Sequence, residues 1–148
     1  IGWETLKDDI RAAAALGAKA VFIDPITNLT NQLSAAEAND ELVKIAAELS
    51  ALAMDLNIVI FIFCHLKAPK DGVGHERGAP VLSTQFAGSR AMMRSCNYMI
   101  GIEGDKSPEK PEEERNVRTI VLLEDREFGQ TARIPLFWNK HTGLFKEL

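Results

Sequence analysis

Cysteine is nearly absent from this 148-residue sequence, which has two, Cys64 and Cys96. They form no C-x-x-C pair, which excludes a zinc ribbon or a dithiol redox motif. Their apolar surroundings fit buried thiols in a reducing, intracellular setting. Long hydrophobic runs are missing as well; none approaches the roughly 20 residues of a membrane-spanning helix. The opening IGWETLKDD is acidic and has no apolar core, so no secretory leader is read there. Internal repeats and low-complexity tracts are lacking. Glycine occurs 10 times, yet never as G-x-x-x-x-G-K-[ST], the loop whose backbone N–H groups and lysine cradle nucleotide phosphates. Positive charge is in deficit: 17 Lys and Arg against 21 Asp and Glu leave −4, which argues against a general nucleic-acid binder.

That deficit is uneven. Between Lys67 and Arg94 stand five basic residues (Lys67, Lys70, Arg77, Arg90 and Arg94) against Asp71 and Glu76, so this segment carries +3 and the remainder −7. A basic segment on an acidic chain suits a phosphate-facing surface. Otherwise the composition, 46% apolar and 26% charged, is ordinary, and the length predicts one domain, residues 1–148, with a real core.

The pattern of elements is α/β. Residues 5–19, TLKDDIRAAAALGAK, predict a helix with Thr5 and Asp8 as a capping box and Gly17 at its C-terminal cap. AVFID, residues 20–24, predicts a buried strand stopped by Pro25, and residues 27–32 a loop. Ser34 and Glu37 form a second capping box. Leu42, Ile45, Ala46, Leu49, Leu52, Ala53 and Leu56 then recur at helical spacing, a long amphipathic helix. IVIFIF, residues 58–63, is a second strand. Strand, helix and strand, with both strands apolar throughout, predict a parallel pair covered on both faces and joined by a right-handed crossover. Residues 66–83 predict a long loop, 88–95 a short helix, YMIGIE a strand, and 105–116 a charged, solvated turn. RTIVLLED, ARIPLFWN and GLFKE predict an antiparallel meander with turns at REFGQ and KHTG.

In open parallel sheets, ligands bind beyond the carboxyl ends of the strands. Asp24 ends the first strand and His65 follows the second, so both fall at that edge. V-F-I-D has the form of a Walker B motif, whose carboxylate holds Mg²⁺, usually through water. The bland alternative is an aspartate that caps a turn. His65 suits a contact to a terminal phosphate, reported to the loop behind it; the alternative is a histidine satisfied by a backbone carbonyl.

The segments FIDPI, IVIFIFCHLKAPKDGVGHERGAP, GSRAMMRSCNYMIGIEGD and LLEDREFGQTARI together resemble the RecA-type motor domain of hexameric replicative DNA helicases, over nearly the whole chain. The likeness is stronger to the bacteriophage primase-helicase and Twinkle branch than to the DnaB-type helicases. Its most specific parts are the C-H-L-K strand end with its Lys/Pro/Gly loop, and the R-x-x-G-x-T turn.

This resemblance implies a partial RecA-like P-loop NTPase core: parallel strands with crossover helices, followed by antiparallel strands. In the family, the phosphate loop and a catalytic glutamate precede Walker B, and neither finds a match here. Ile1 would then begin partway through the motor domain, and the piece alone would be inactive. Asp24 would be the Walker B aspartate, holding Mg²⁺ through water, and His65 the phosphate sensor. Arg126 would be an arginine finger reaching the nucleotide of a neighbouring subunit; its bland alternative is a turn arginine paired with Glu124 or Asp125. Lys67, Lys70 and Arg77 fall in the loop that grips single-stranded DNA. Arg90 and Arg94 fall in a second channel-facing element, although relatives tend to have a small residue at the first position and a polar one, often Gln, at the second. Gly104 stands where phage relatives carry a second arginine. The implied cofactors are Mg²⁺ and ATP or another NTP. The implied partners are single-stranded DNA, identical subunits in a ring of about six, and a primase as a further candidate, with no membrane. The implied setting is the cytoplasm of a bacterium or phage-infected cell.

Three other readings stay open on the sequence. A RecA-like recombinase or circadian-type ATPase shares the fold. A metal-dependent hydrolase would use Asp24, His65 and His75 as ligands. A non-catalytic assembly or binding module is compatible with the missing phosphate loop.

Overall fold

The computed structural model describes residues 2–148, apart from the side chains of residues 89–91. The elements in order are α1 (Trp3–Ala15), β1 (Ala20–Ile23), a 3-10 turn (Ile26–Thr30), α2 (Ala35–Leu56), β2 (Val59–Ile62) and a second 3-10 turn (Ser83–Gln85). Then come α3 (Ser89–Ser95), β3 (Tyr98–Glu103), α4 (Glu112–Arg115), β4 (Val117–Asp125), β5 (Ala132–Asn139) and β6 (Leu144–Glu147). The α/β class holds. β1 and β2 are a parallel pair, and β3 to β6 form a four-stranded antiparallel sheet in sequence order. The chain divides into two compact units, Ile1–Leu66 with Phe86–Cys96, and Lys67–Gln85 with Asn97–Leu148.

In the first unit, α2 starts where its capping box sits. The Ser34 hydroxyl accepts from the Glu37 N–H, and the Glu37 carboxylate accepts from the Ser34 N–H at 3.0 Å. Its apolar stripe, Leu42, Ile45, Ala46, Leu49 and Leu52, is buried. Each such Leu or Ile contributes about 1.5–3 kcal/mol relative to exposure. Asn57 ends the helix at φ 51, a left-handed cap that asparagine tolerates.

α1 begins earlier than the capping pattern predicts. Its N-cap is Gly2, and Thr5 and Asp8 lie inside the helix; Asp8 pairs with Arg11 instead. The start is set by a distant partner, because Trp3 is buried and hydrogen-bonded to Glu48 of α2. Residues 27–32, expected as plain loop, are mostly a 3-10 turn in which the Thr30 hydroxyl donates to the Thr27 carbonyl at 3.1 Å.

β1 and β2 pair in register from Ala20 with Val59 to Ile23 with Ile62. One face, with Val21, Ile23, Ile60 and Ile62, is buried or half-buried. The other is open: Phe22 is 64% and Phe61 44% exposed, with Val59 beside them. The expected cover on both faces is therefore absent among the described residues. Phe22 and Phe61 cover each other in part, stacked with centroids 4.7 Å apart and planes 6° from parallel.

In the second unit, β3 alternates, with Met99, Gly101 and Glu103 inward. The β4–β5 turn is fixed by the Asp125 carboxylate, which accepts from the N–H groups of Glu127 and Phe128 at 3.0 and 3.1 Å. Asn139 does the same for the β5–β6 turn, accepting from His141 and Thr142 at 2.9 and 3.2 Å. The segment expected to be wholly a charged turn contains α4, whose first turn holds Glu112, Glu113 and Glu114, favourable beside the positive end of the helix dipole. Among the described residues, no helix is long and apolar enough to cross a membrane.

Candidate functional site

β1 and β2 end together. The Phe63 N–H donates to the Ile23 carbonyl at 2.9 Å, and the Ile26 N–H donates to the Phe63 carbonyl at 3.0 Å, so the pairing continues past both strands. Asp24 leaves β1 between these two bonds, and His65 follows Phe63 by two residues. Both side chains are exposed at the carboxyl ends of adjacent parallel strands, and neither is packed among aliphatic neighbours. The Asp24–Pro25 peptide is cis. Cys64 stands just before His65, half-buried; burial, and then the nearby Cys96, push its thiol up to about 11. It is a neutral thiol rather than a nucleophile.

A single exposed carboxylate fits a divalent cation held mainly through water. It does not fit a site with three direct protein ligands, and among the described residues no three of His, Cys, Asp and Glu form such a group. His75, the third ligand of the hydrolase reading, belongs to the second unit. Its ring nitrogens face the carbonyls of Ala79 at 3.4 Å and Lys67 at 3.2 Å. A neutral imidazole donates to one of these, a protonated one to both. This histidine holds a loop.

That loop carries Lys67, Lys70 and Arg77, all exposed. Residues 74–85 are anchored rather than structureless. The Lys106 N–H donates to the Glu76 carbonyl at 2.7 Å, the backbones of Arg77 and Asp105 form an isolated antiparallel β-bridge, and the Lys67 N–H donates to the Gln85 carbonyl at 2.7 Å. Val81 is buried against Gly101, where an added Cβ would stand 2.8 Å from the valine. The Val81 N–H donates to the Glu103 carboxylate at 2.9 Å. Lys70 lies outside this arm, toward the tip.

Glu103 is 8% exposed and also ion-pairs with Arg133 of β5. Burial pushes its carboxyl up, but hydrogen bonds from Arg133 and Val81, with the charges of Arg133 and His75, outweigh it and hold the group below its usual range. Neither Glu103 nor Arg133 falls in a motif visible in the sequence. A signal existed: alternation in YMIGIE puts Glu103 on the same side as Met99.

Arg126 is exposed in the β4–β5 turn, and its N–H donates to the Asn97 carbonyl at 2.9 Å. Asp125, the partner suggested for its guanidinium, accepts from the turn's backbone instead. Arg94 is exposed in the last turn of α3, and the side chain of Arg90 lies outside the described residues. At Gly104 the side chain of Arg118 fills the space, 3.0 Å from where a Cβ would be, and donates to the carbonyls of Arg115 and Val117, both at 2.7 Å.

A parallel pair with candidate ligands at its carboxyl edge, followed by an antiparallel meander, matches known architectures. A solved ATPase domain superposes with a TM-score of 0.76 at 16% identity, over 99% of this chain and 52% of that one. A solved DnaB-like replicative helicase, described with its interactions with primase, gives 0.75 at 18% identity, over 99% and 35%. The chain has the fold of the RecA-like ATPase domain of replicative helicases. In sequence it is similar to the DNA helicase/primase of Enterobacteria phage T3, 29% identical over 132 residues, which cover 86% of this chain and 22% of that protein. The chain thus spans about a fifth of that relative's length. No protein-family model matches it.

Proposed function

We propose that this chain is the C-terminal part of the motor domain of a replicative DNA helicase, in which NTP hydrolysis between subunits drives movement along single-stranded DNA. The observation that carries this reading is the delivery of Asp24 and His65, both exposed, to one carboxyl edge of a parallel pair. The similarity to a phage DNA helicase/primase supports it.

Mg²⁺ and an NTP, when bound, supply the anhydride to be cleaved and the charge that offsets its phosphates. Asp24 would hold the Mg²⁺ through water. His65 donates to a terminal phosphate oxygen, and the chain directly behind it leads into the loop. Arg126, on a turn pinned by Asp125, points its charge at the nucleotide of a neighbouring subunit, where it stabilises charge developing in the transition state. Lys67, Lys70 and Arg77, with Arg90 and Arg94, meet the DNA backbone. Such contacts are sequence-tolerant and weaken with salt. A primase is a candidate partner, as is a ring of identical subunits.

The test is DNA-stimulated NTPase in a polypeptide that carries this chain together with a phosphate-binding loop. Asp24→Ala and Arg126→Ala should each lower it by about a hundredfold or more. If both leave the rate untouched, the reading fails. Strand pairing without unwinding would shift the function to a recombinase.

A further inference from the structure

We propose that Glu103 is a positioning residue that joins the arm of the 67–85 loop to the β4–β5 hairpin, so that the DNA-facing lysines and Arg126 respond to each other. The roles of Lys67, Lys70 and Arg126 rest on the function proposed above; the joint is read from the structure alone.

Three segments meet at one carboxylate. Oε1 of Glu103 accepts from the Val81 N–H at 2.9 Å and from Arg133 at 3.4 Å, and Oε2 takes the second guanidinium nitrogen of Arg133. Val81 belongs to the loop arm. Arg133 pairs with Val121, one step from the last ladder pair before the turn that carries Arg126. The far end of β3 is fastened to that turn as well, through the Arg126 N–H to Asn97 at 2.9 Å and the Tyr98 hydroxyl to Glu127 at 3.0 Å. β3 is therefore tied to the arginine turn at one end and to the loop arm at the other.

The two halves of the joint differ in how freely they open. Val81 is 2% exposed, so without Glu103 its N–H would be left unpaired away from water. The Arg133 side chain is 59% exposed and can reach solvent, although its release leaves the Glu103 carboxylate, 9% exposed, with the Val81 N–H. The hairpin half of the joint is thus open to solvent on the Arg133 side, and the loop half is closed.

The experiment uses the longest native polypeptide that carries this chain. Glu103→Gln, Arg133→Gln and the double variant are compared for NTPase without DNA, NTPase with an oligothymidylate, and binding of that oligonucleotide. Each single variant should keep DNA-free NTPase within about twofold and lose DNA stimulation on the order of tenfold. The double variant should lose no more than the worse single one, and Arg133→Lys should recover part of the stimulation. Because Arg133 is largely exposed, its variants stay folded if Glu103→Gln does not. Hydrogen exchange at the Val81 amide should quicken in Glu103→Met, which offers no oxygen acceptor, and stay slow in Arg133→Gln. If Arg133→Gln keeps full DNA stimulation while Asp24→Ala abolishes NTPase, the coupling is wrong and the helicase reading stands. An equal loss with and without DNA also overturns it, since that marks a merely structural role. If Asp24→Ala spares the NTPase too, the proposed function falls and the coupling with it.

Discussion

The indole N–H of Trp3 donates to the carboxylate of Glu48 at 2.9 Å, linking the first turn of α1 to the middle of α2. Lys7 donates to the same oxygen at 2.7 Å and lies over the Trp3 ring, 5.4 Å from its centroid. Trp3→Phe keeps a buried ring and removes the hydrogen bond. A bond to a charged acceptor is worth about 1.5–3 kcal/mol, and the loss should fall at the low end because Lys7 still pairs with Glu48. Urea unfolding of the two proteins, at unchanged slope, measures it.

The stacked pair Phe22 and Phe61 gives a second stability test. A buried phenylalanine costs about 3–5 kcal/mol when cut to alanine. Phe61 is 44% exposed, so Phe61→Ala should cost less, about 1–3 kcal/mol from its partial burial and its stacking together. A loss in the larger range would mean that this face is covered in solution.

Much of the fold was legible in the sequence. Ser34 and Glu37 marked the start of α2 because that cap is made within four residues. Thr5 and Asp8 have the same spacing and misled, since the helix start is fixed by Glu48, far away in the chain. The unbroken apolar run of β2 predicted cover on both faces. Such a run reports what a strand can bury, not what lies against it. At the site, strand ends placed Asp24 and His65 at one edge. Glu103 stayed hidden, because its meaning depends on Val81 and Arg133, which come together only when the loop folds back along β3.

Acid should expose the Glu103 joint. The folded carboxyl titrates below its ordinary 4.5, so its stabilising contribution is complete above that value and is lost as pH falls through the folded one. Wild-type stability should therefore drop more steeply than that of Glu103→Gln between about pH 5 and 3. Parallel slopes for the two proteins would mean that the carboxylate gains nothing from its partners.

Cys64 offers a probe of local opening. With its thiol pushed up to about 11, the thiolate at pH 8 is about one part in a thousand, against roughly a quarter for an ordinary thiol. Alkylation followed by mass spectrometry should find Cys64 slow in the folded chain and fast in urea. Fast modification of the folded chain would show that its surroundings open readily.

The contrast between the pinned stretch 74–85 and the exposed tip around Lys70 bears on how such a chain can diverge. Insertions near Gly72, which already sits at φ 89 in a turn, would lengthen the reach of Lys70 without disturbing Glu76, Arg77 or Val81. Insertions only a few residues later would break the pairing with Asp105 and Lys106. Evolution, or an engineer, can tune reach at one end of this loop and must leave the other alone.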